Sequence, residues 1–300
     1  MGILIRRQLF RTIGVAFIIV LLTSSLVAAQ AGNQKIILLR HSTGGNLFQQ
    51  GDVKDWVSDY NSKNGTSYDI SMRAYPDSPY DWKNYPYDYW NLWVNPDSPA
   101  KASNPSIDTL ESLAEDYDMI VFKHCFPGSG IEADTGSASV SSSAKRLENY
   151  KLQYKALREK FDTMPDTIFM VWTLAPLHRL NTTTSDAKRA AEFVDWVKNT
   201  WLTEDGKNHP NIFIFDFWGN VAETSGNPSN GKTNTLRYAY EASHSSSDSH
   251  PNSTANKTVG PIFAQRVVDV IEAFEAADSN SDSDTTKISP PTSLRIISSQ

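Results

Sequence analysis

Two residues of this 300-residue chain stand where their types could do chemistry: a serine directly after an apolar run, and a histidine followed by proline. The first is Ser42, in Arg40-His41-Ser42-Thr43-Gly44-Gly45-Asn46, after the run Lys35 to Arg40. A hydroxyl at the end of a buried strand is placed to act as a nucleophile. The two glycines let the backbone approach a substrate and offer N–H groups to a developing oxyanion. The same four residues, Ser-Thr-Gly-Gly, equally suit a turn or a helix N-terminus. The second is His250, in Ser247-Asp248-Ser249-His250-Pro251-Asn252. Proline fixes its own φ and restricts its predecessor, so the imidazole starts from a pinned backbone. Asp248 is placed to orient the ring and favour one tautomer. A solvated loop histidine is the alternative.

The elements that must position these residues are legible as two periods. Apolar runs at Lys35–Arg40, Tyr68–Ser71, Asp118–Lys123, Thr167–Thr173 and Asn211–Phe217 suit parallel strands buried on both faces. Between them, Leu147, Tyr150, Tyr154, Leu157 and Phe161 step by three and four, as do Ala190, Phe193, Val194, Val197 and Trp201. A last helix is expected after Pro261, with Phe263, Val267, Val270, Ile271 and Phe274 on one face. This alternation predicts an α/β fold, a three-layer α/β/α sandwich around a five-stranded parallel sheet. Ligands of such sheets bind beyond the carboxyl ends of the strands, where Ser42 falls.

Ser42 after the first strand and His250-Pro251-Asn252 before the last helix together resemble the SGNH/GDSL hydrolase family, over about Lys35 to Ala276. Val121-Phe122-Lys123-His124-Cys125-Phe126-Pro127 and Val171-Trp172-Thr173-Leu174-Ala175-Pro176 also look like divergent bacterial members. The resemblance implies a flavodoxin-like fold and acyl transfer, with Ser42 as nucleophile, His250 as base and Asp248 as acid. It implies no cofactor and no metal. Three departures stand out. Arg40-His41-Ser42 replaces the family's Gly-Asp-Ser, and Ser247 occupies the acid's usual place three residues before the histidine. Cys125-Phe126-Pro127-Gly128-Ser129-Gly130 replaces Gly-x-Asn-Asp, which leaves the oxyanion to the Ser42 or Gly44 N–H, Asn46 or Ser129.

Other features bear on substrate and location. Arg6, Arg7 and Arg11 precede the apolar run Ile13–Leu22, and Ala29-Gln30-Ala31 offers a cleavage site. Residues 1–31 therefore read as an export signal, with an uncleaved anchor as the alternative. The mature domain is expected over 32–276, secreted, periplasmic or on the cell surface, with no stable membrane span after cleavage. Residues 277–300 read as a polar linker, then a stretch resembling the start of a fibronectin III-like module, or a disordered tail. A net charge of −6 argues against nucleic acid as a partner. The one cysteine, Cys125, reads as a buried structural thiol.

The segment Tyr75–Val94 lacks either period and interleaves aromatic rings with Asp77, Asp81 and Asp88. It is expected to be a long excursion. Its rings, Trp82 and Trp90 among them, form either a carbohydrate platform or a satellite core. With the export signal, the platform reading points to a small-molecule or polysaccharide ester such as an O-acetylated sugar. Two rivals remain. Leu39-Arg40-His41 is similar to the opening of the histidine phosphatases, in which His41 would carry the phosphoryl group. The departures also allow a hydrolase-like fold that binds glycans without turnover.

Overall fold

The computed structural model describes residues 33–77, 80–81, 85–229 and 231–285, with side chains through 277. The expected export signal, Trp82 and the fibronectin-like stretch lie outside the described residues. In chain order, β1 (Lys35–Arg40) leads into α1 (Ser42–Gln50), α2 (Val53–Asn64) and β2 (Asp69–Ala74). Three short helices follow, α3 (Pro86–Tyr89), α4 (Pro99–Ser103) and α5 (Leu110–Asp116), with a wide π turn at Trp90–Val94. Next come β3 (Met119–Phe122), a 3-10 turn at Phe126–Ser129, α6 (Leu147–Phe161), β4 (Ile168–Trp172), α7 (Thr184–Asn199), β5 (Ile212–Phe215) and α8 (Phe217–Val221). A short antiparallel pair, β6 (Ala222–Glu223) and β7 (Thr235–Leu236), precedes α9 (Ser253–Thr285).

The five main strands are all parallel, in the order β2-β1-β3-β4-β5. Side chains alternate across each strand, and here both faces are apolar. Ile37, Leu39, Ile120, Phe122, Phe169 and Val171 face α5, α6 and α7. Their neighbours Ile36, Leu38, Met119, Val121, Ile168 and Met170 face α1, α2 and α9. Near-continuous apolar runs follow directly from helices covering both sides. The order also creates a switch point: the chain leaves β1 toward β2 and returns to β3 on the other flank. In open α/β sheets ligands bind beyond the carboxyl ends of the strands at such a point.

The C-cap of α1, Gly51, packs backbone against backbone on α9, and glycines make this possible. A Cβ on Gly51 would lie 2.6 Å from Leu47 O and 2.7 Å from both Asn256 O and Gly260 Cα. A Cβ on Gly260 would lie 2.5 Å from Gly51 Cα. The obstructing atoms are backbone, so no rotamer change relieves them. Gly51→Ala is therefore expected to cost about 3 kcal/mol by overpacking. Urea unfolding checks this; a midpoint unchanged from wild type would contradict it.

Three expectations change. The last helix begins at Ser253 rather than after Pro261, because Asn252 caps it: Asn252 Oδ1 accepts the Ala255 N–H at 3.0 Å. Pro261 lies inside the helix, and the carbonyl deprived of its donor belongs to exposed Lys257. The helix also continues to Thr285, through residues expected to be linker, since extending a formed helix costs little. Finally, the aromatic segment is not an external loop. Tyr75, Tyr85, Tyr89 and Trp93 are at most 4% exposed and join the core under α6. Tyr89 meets Phe122 edge to face at 5.0 Å, and Trp93 Nε1 donates to Tyr75 Oη at 2.6 Å.

Candidate functional site

Ser42 is exposed and is the first residue of α1, with His41 as N-cap. The strand ends at Arg40, and the first helical turn closes when Gly44 N–H donates to His41 O at 2.9 Å. That bond takes the Gly44 N–H away from any oxyanion. Gly44 instead gives room: a Cβ there would fall 2.7 Å from Lys123 Cε and 3.1 Å from Arg40 Cβ. The Lys123 stem runs beneath the start of α1 and is 2% exposed.

The Lys123 ammonium meets Cys125 Sγ, and Cys125 Sγ lies 3.7 Å from Ser42 Oγ. Burial pushes the Cys125 thiol up. The Lys123 charge, with hydrogen bonds to Lys123, Ser42 and the Thr43 backbone, outweighs that and brings it below the usual thiol value. The thiol is thus packed at 2% exposure, as expected, but against the candidate nucleophile. His41 is held below the ordinary imidazole value by burial and then by Lys123, against the Tyr75 and Pro76 backbone that favours its charged form.

His250 comes from the loop before α9. Gln34 Nε2, at the foot of β1, donates to Glu275 Oε1 late in α9 at 3.1 Å. Helix α9 therefore runs down from the carboxyl edge, and His250, just before it, sits at that edge with Ser42. Asp248 Oδ1 is 2.6 Å from His250 Nδ1 and also accepts the His250 backbone N–H at 3.1 Å. An acid only two residues before the histidine thus reaches it by closing a tight turn. Burial raises the Asp248 pKa, but the backbone and ring hydrogen bonds and the charges of His250 and His178 outweigh it and hold the carboxyl below its usual range. With Nδ1–H committed to a carboxylate, Nε2 is the basic nitrogen. Nε2 is buried and has no hydrogen-bond partner.

Ser42 and His250 contact consecutive residues of the loop after β3. Ser42 touches Cys125, and the His250 ring meets the next residue, Phe126, edge to face at 4.9 Å. No hydrogen bond joins Ser42 Oγ to His250 Nε2 in this structure.

The remaining predicted residues fall elsewhere. Asn46 lies one turn along α1, on the Ser42 face. Ser129 is 1% exposed and its hydroxyl donates to Ala175 O at 2.5 Å, so its proton serves the β3–β4 edge rather than an oxyanion. Trp90 is 8% exposed and packs on Tyr87 at 5.7 Å, which leaves no open face for a sugar ring. An aromatic site does persist nearby in the chain: Tyr80, Asp81, Tyr85, Tyr87 and Asp88 line a cavity of about 400 Å³. Among the described residues no group of three His, Cys, Asp or Glu side chains is placed to hold a metal. No described helix is long and apolar enough to cross a membrane.

One feature escaped the sequence. Lys123 closes an apolar run, a weak signal that its charge is buried. His124, 1% exposed, joins Tyr154 Oη through Nε2 at 2.8 Å, and burial and then Lys123 lower its pKa to about 3. Below pH 6.5 the unfolded chain gains a proton that folded His124 refuses. Stability should therefore fall with pH down to about 3, by about 1.4 kcal/mol per pH unit within that window. In denaturant titrations from pH 7 to 4, His124→Gln should flatten this slope; an unaltered slope would assign it elsewhere. No family model and no curated protein sequence matches this chain.

Proposed function

We propose that this protein is an exported serine hydrolase of the SGNH type, working through Ser42, His250 and Asp248. The carrying observation is the convergence at the β1/β3 switch point: an exposed hydroxyl at a helix start, and an imidazole whose Nδ1 faces a carboxylate at 2.6 Å while Nε2 is unpartnered. His250 Nε2 takes the Ser42 proton as Oγ bonds to the ester carbonyl carbon. The tetrahedral oxyanion is met by the Ser42 N–H and the positive end of α1, with the Lys123 charge beneath. Collapse breaks the carbon–oxygen bond, and Nε2–H protonates the departing alcohol. Water then releases the acid by the same route in reverse. Catalytic Ser–His hydrogen bonds are of a kind that tighten when substrate arrives.

A carbohydrate ester, such as an O-acetylated sugar, is the substrate class we favour. Its support is now the cavity beside Tyr80, Tyr87 and Asp81, since Tyr75, Tyr89 and Trp93 are core. A fluorophosphonate probe tests the reading. Covalent label on Ser42 supports it. Phosphate trapped on His41 would replace it with a phosphohydrolase, and glycan binding without turnover or label would leave a binding domain.

A further inference from the structure

We propose that Glu241 is a positioning residue for His250, acting through a buried His178–Glu241–Arg179 cluster that clamps the residues on either side of the imidazole. The inference rests on reading His250 as the base. Both the Glu241 and His178 side chains are 0% exposed, with His178 Nε2 3.0 Å from Glu241 Oε2. Arg179 Nε lies 3.1 Å from Glu241 Oε1, and His244 Nδ1 lies 2.8 Å from Oε2. The carboxylate thereby joins the loop after β4 to the loop before α9.

Each member of the buried pair holds one flank of His250. The His178 backbone N–H donates to Ser249 Oγ at 2.9 Å, and Asn181 Nδ2 reaches the same oxygen at 3.3 Å. On the other flank, Glu241 pairs with Pro251 in an antiparallel bridge. Asn252 reinforces it, its side chain donating to Ala239 O at 3.0 Å and Glu241 O at 3.1 Å. The backbone of His250 is thus tied before and after, and Asp248 and Phe126 meet its ring.

Charge in such a place needs a reason. Desolvating a carboxylate costs about as much as its partners return, so an apolar core of the same volume would hold the loops together as well. It would not fix them in one arrangement. The directional bonds of the cluster do, His244 Nδ1 to Glu241 Oε2 at 2.8 Å and His178 Nε2 to Ser243 O at 3.1 Å, and a base displaced by about 1 Å loses much of its effect.

The test compares Glu241→Gln with wild type, and adds Ser249→Ala, which removes the clamp at one atom if the first variant folds poorly. With p-nitrophenyl acetate, kcat should fall about 10–100-fold with KM within about twofold. The Ser42 labelling rate should fall in parallel. In ¹⁵N-histidine spectra the His250 Nδ1 proton should broaden or shift, since its carboxylate contact loosens. Normal kcat in both variants with an unaltered His250 signal would overturn the proposal. If wild type neither turns over ester nor labels, the hydrolase reading fails instead. The His250 signal in the two variants then decides the clamp alone, an unaltered one overturning it.

Discussion

Ser42→Ala should lower kcat for acyl esters by about 10⁴-fold or more and abolish fluorophosphonate labelling. The size follows from the chemistry: Thr43, the other hydroxyl at the start of α1, is 1% exposed, so the covalent path closes. The fold should survive. Ser42 is exposed and its recorded contact is a 3.7 Å approach to sulfur, so stability should change by less than about 0.5 kcal/mol. Circular dichroism and the unfolding midpoint separate loss of chemistry from loss of fold. One outcome would redraw the mechanism. Cys125 is the neighbouring nucleophile, with a pKa brought down by Lys123 against the effect of burial. Residual turnover that disappears on Cys125→Ser would assign attack to sulfur.

Asp248 should show the next largest effect, and its two variants should differ. Asp248 Oδ1 accepts from both the backbone and the ring of His250, and an amide oxygen can accept from both as well. Asp248→Asn therefore keeps the turn but loses the negative charge that balances an imidazolium, and kcat should fall about 10²-fold. Asp248→Ala also releases the ring, and kcat should fall about 10³-fold. Both losses are set below that of a fully buried acid because the Asp248 side chain is 47% exposed and solvent screens it. KM should change little, since neither contact reaches substrate. Equal activity in wild type and Asp248→Ala would remove Asp248 from the site.

Much of the architecture was legible because burial on both faces of a parallel sheet imposes a local rule. A strand such as Ile168–Trp172 has no polar face to offer, so its sequence has no polar position. Helix α6 shows the complementary rule, with Tyr150, Tyr154, Leu157 and Phe161 all at or below 1% exposure on one side. Pro261 misled for an equally physical reason. A proline is a good local signal for a helix start, but the Asn252 cap and the Gly51–Gly260 contact stabilise a helix that runs through it.

The aromatic segment shows the limit of composition. Tyr75, Tyr89 and Trp93 could stack on a sugar or on Phe122, and nothing local distinguishes the two. Tertiary packing decided for the core and left Tyr80 and Tyr87 at a cavity.

By itself, then, the amino-acid order determined the strand and helix periods, the parallel sheet, and the placing of Ser42 and His250 at its carboxyl edge. Those are consequences of short-range patterning and of chain order. Only the tertiary structure decided that Asp248 reaches His250, that Gly44 makes room for Lys123 rather than an oxyanion, and that His178 and Glu241 each tie one flank of the imidazole. Each of these is a contact between side chains and backbone whose geometry no period encodes, and two of them join segments far apart in the chain.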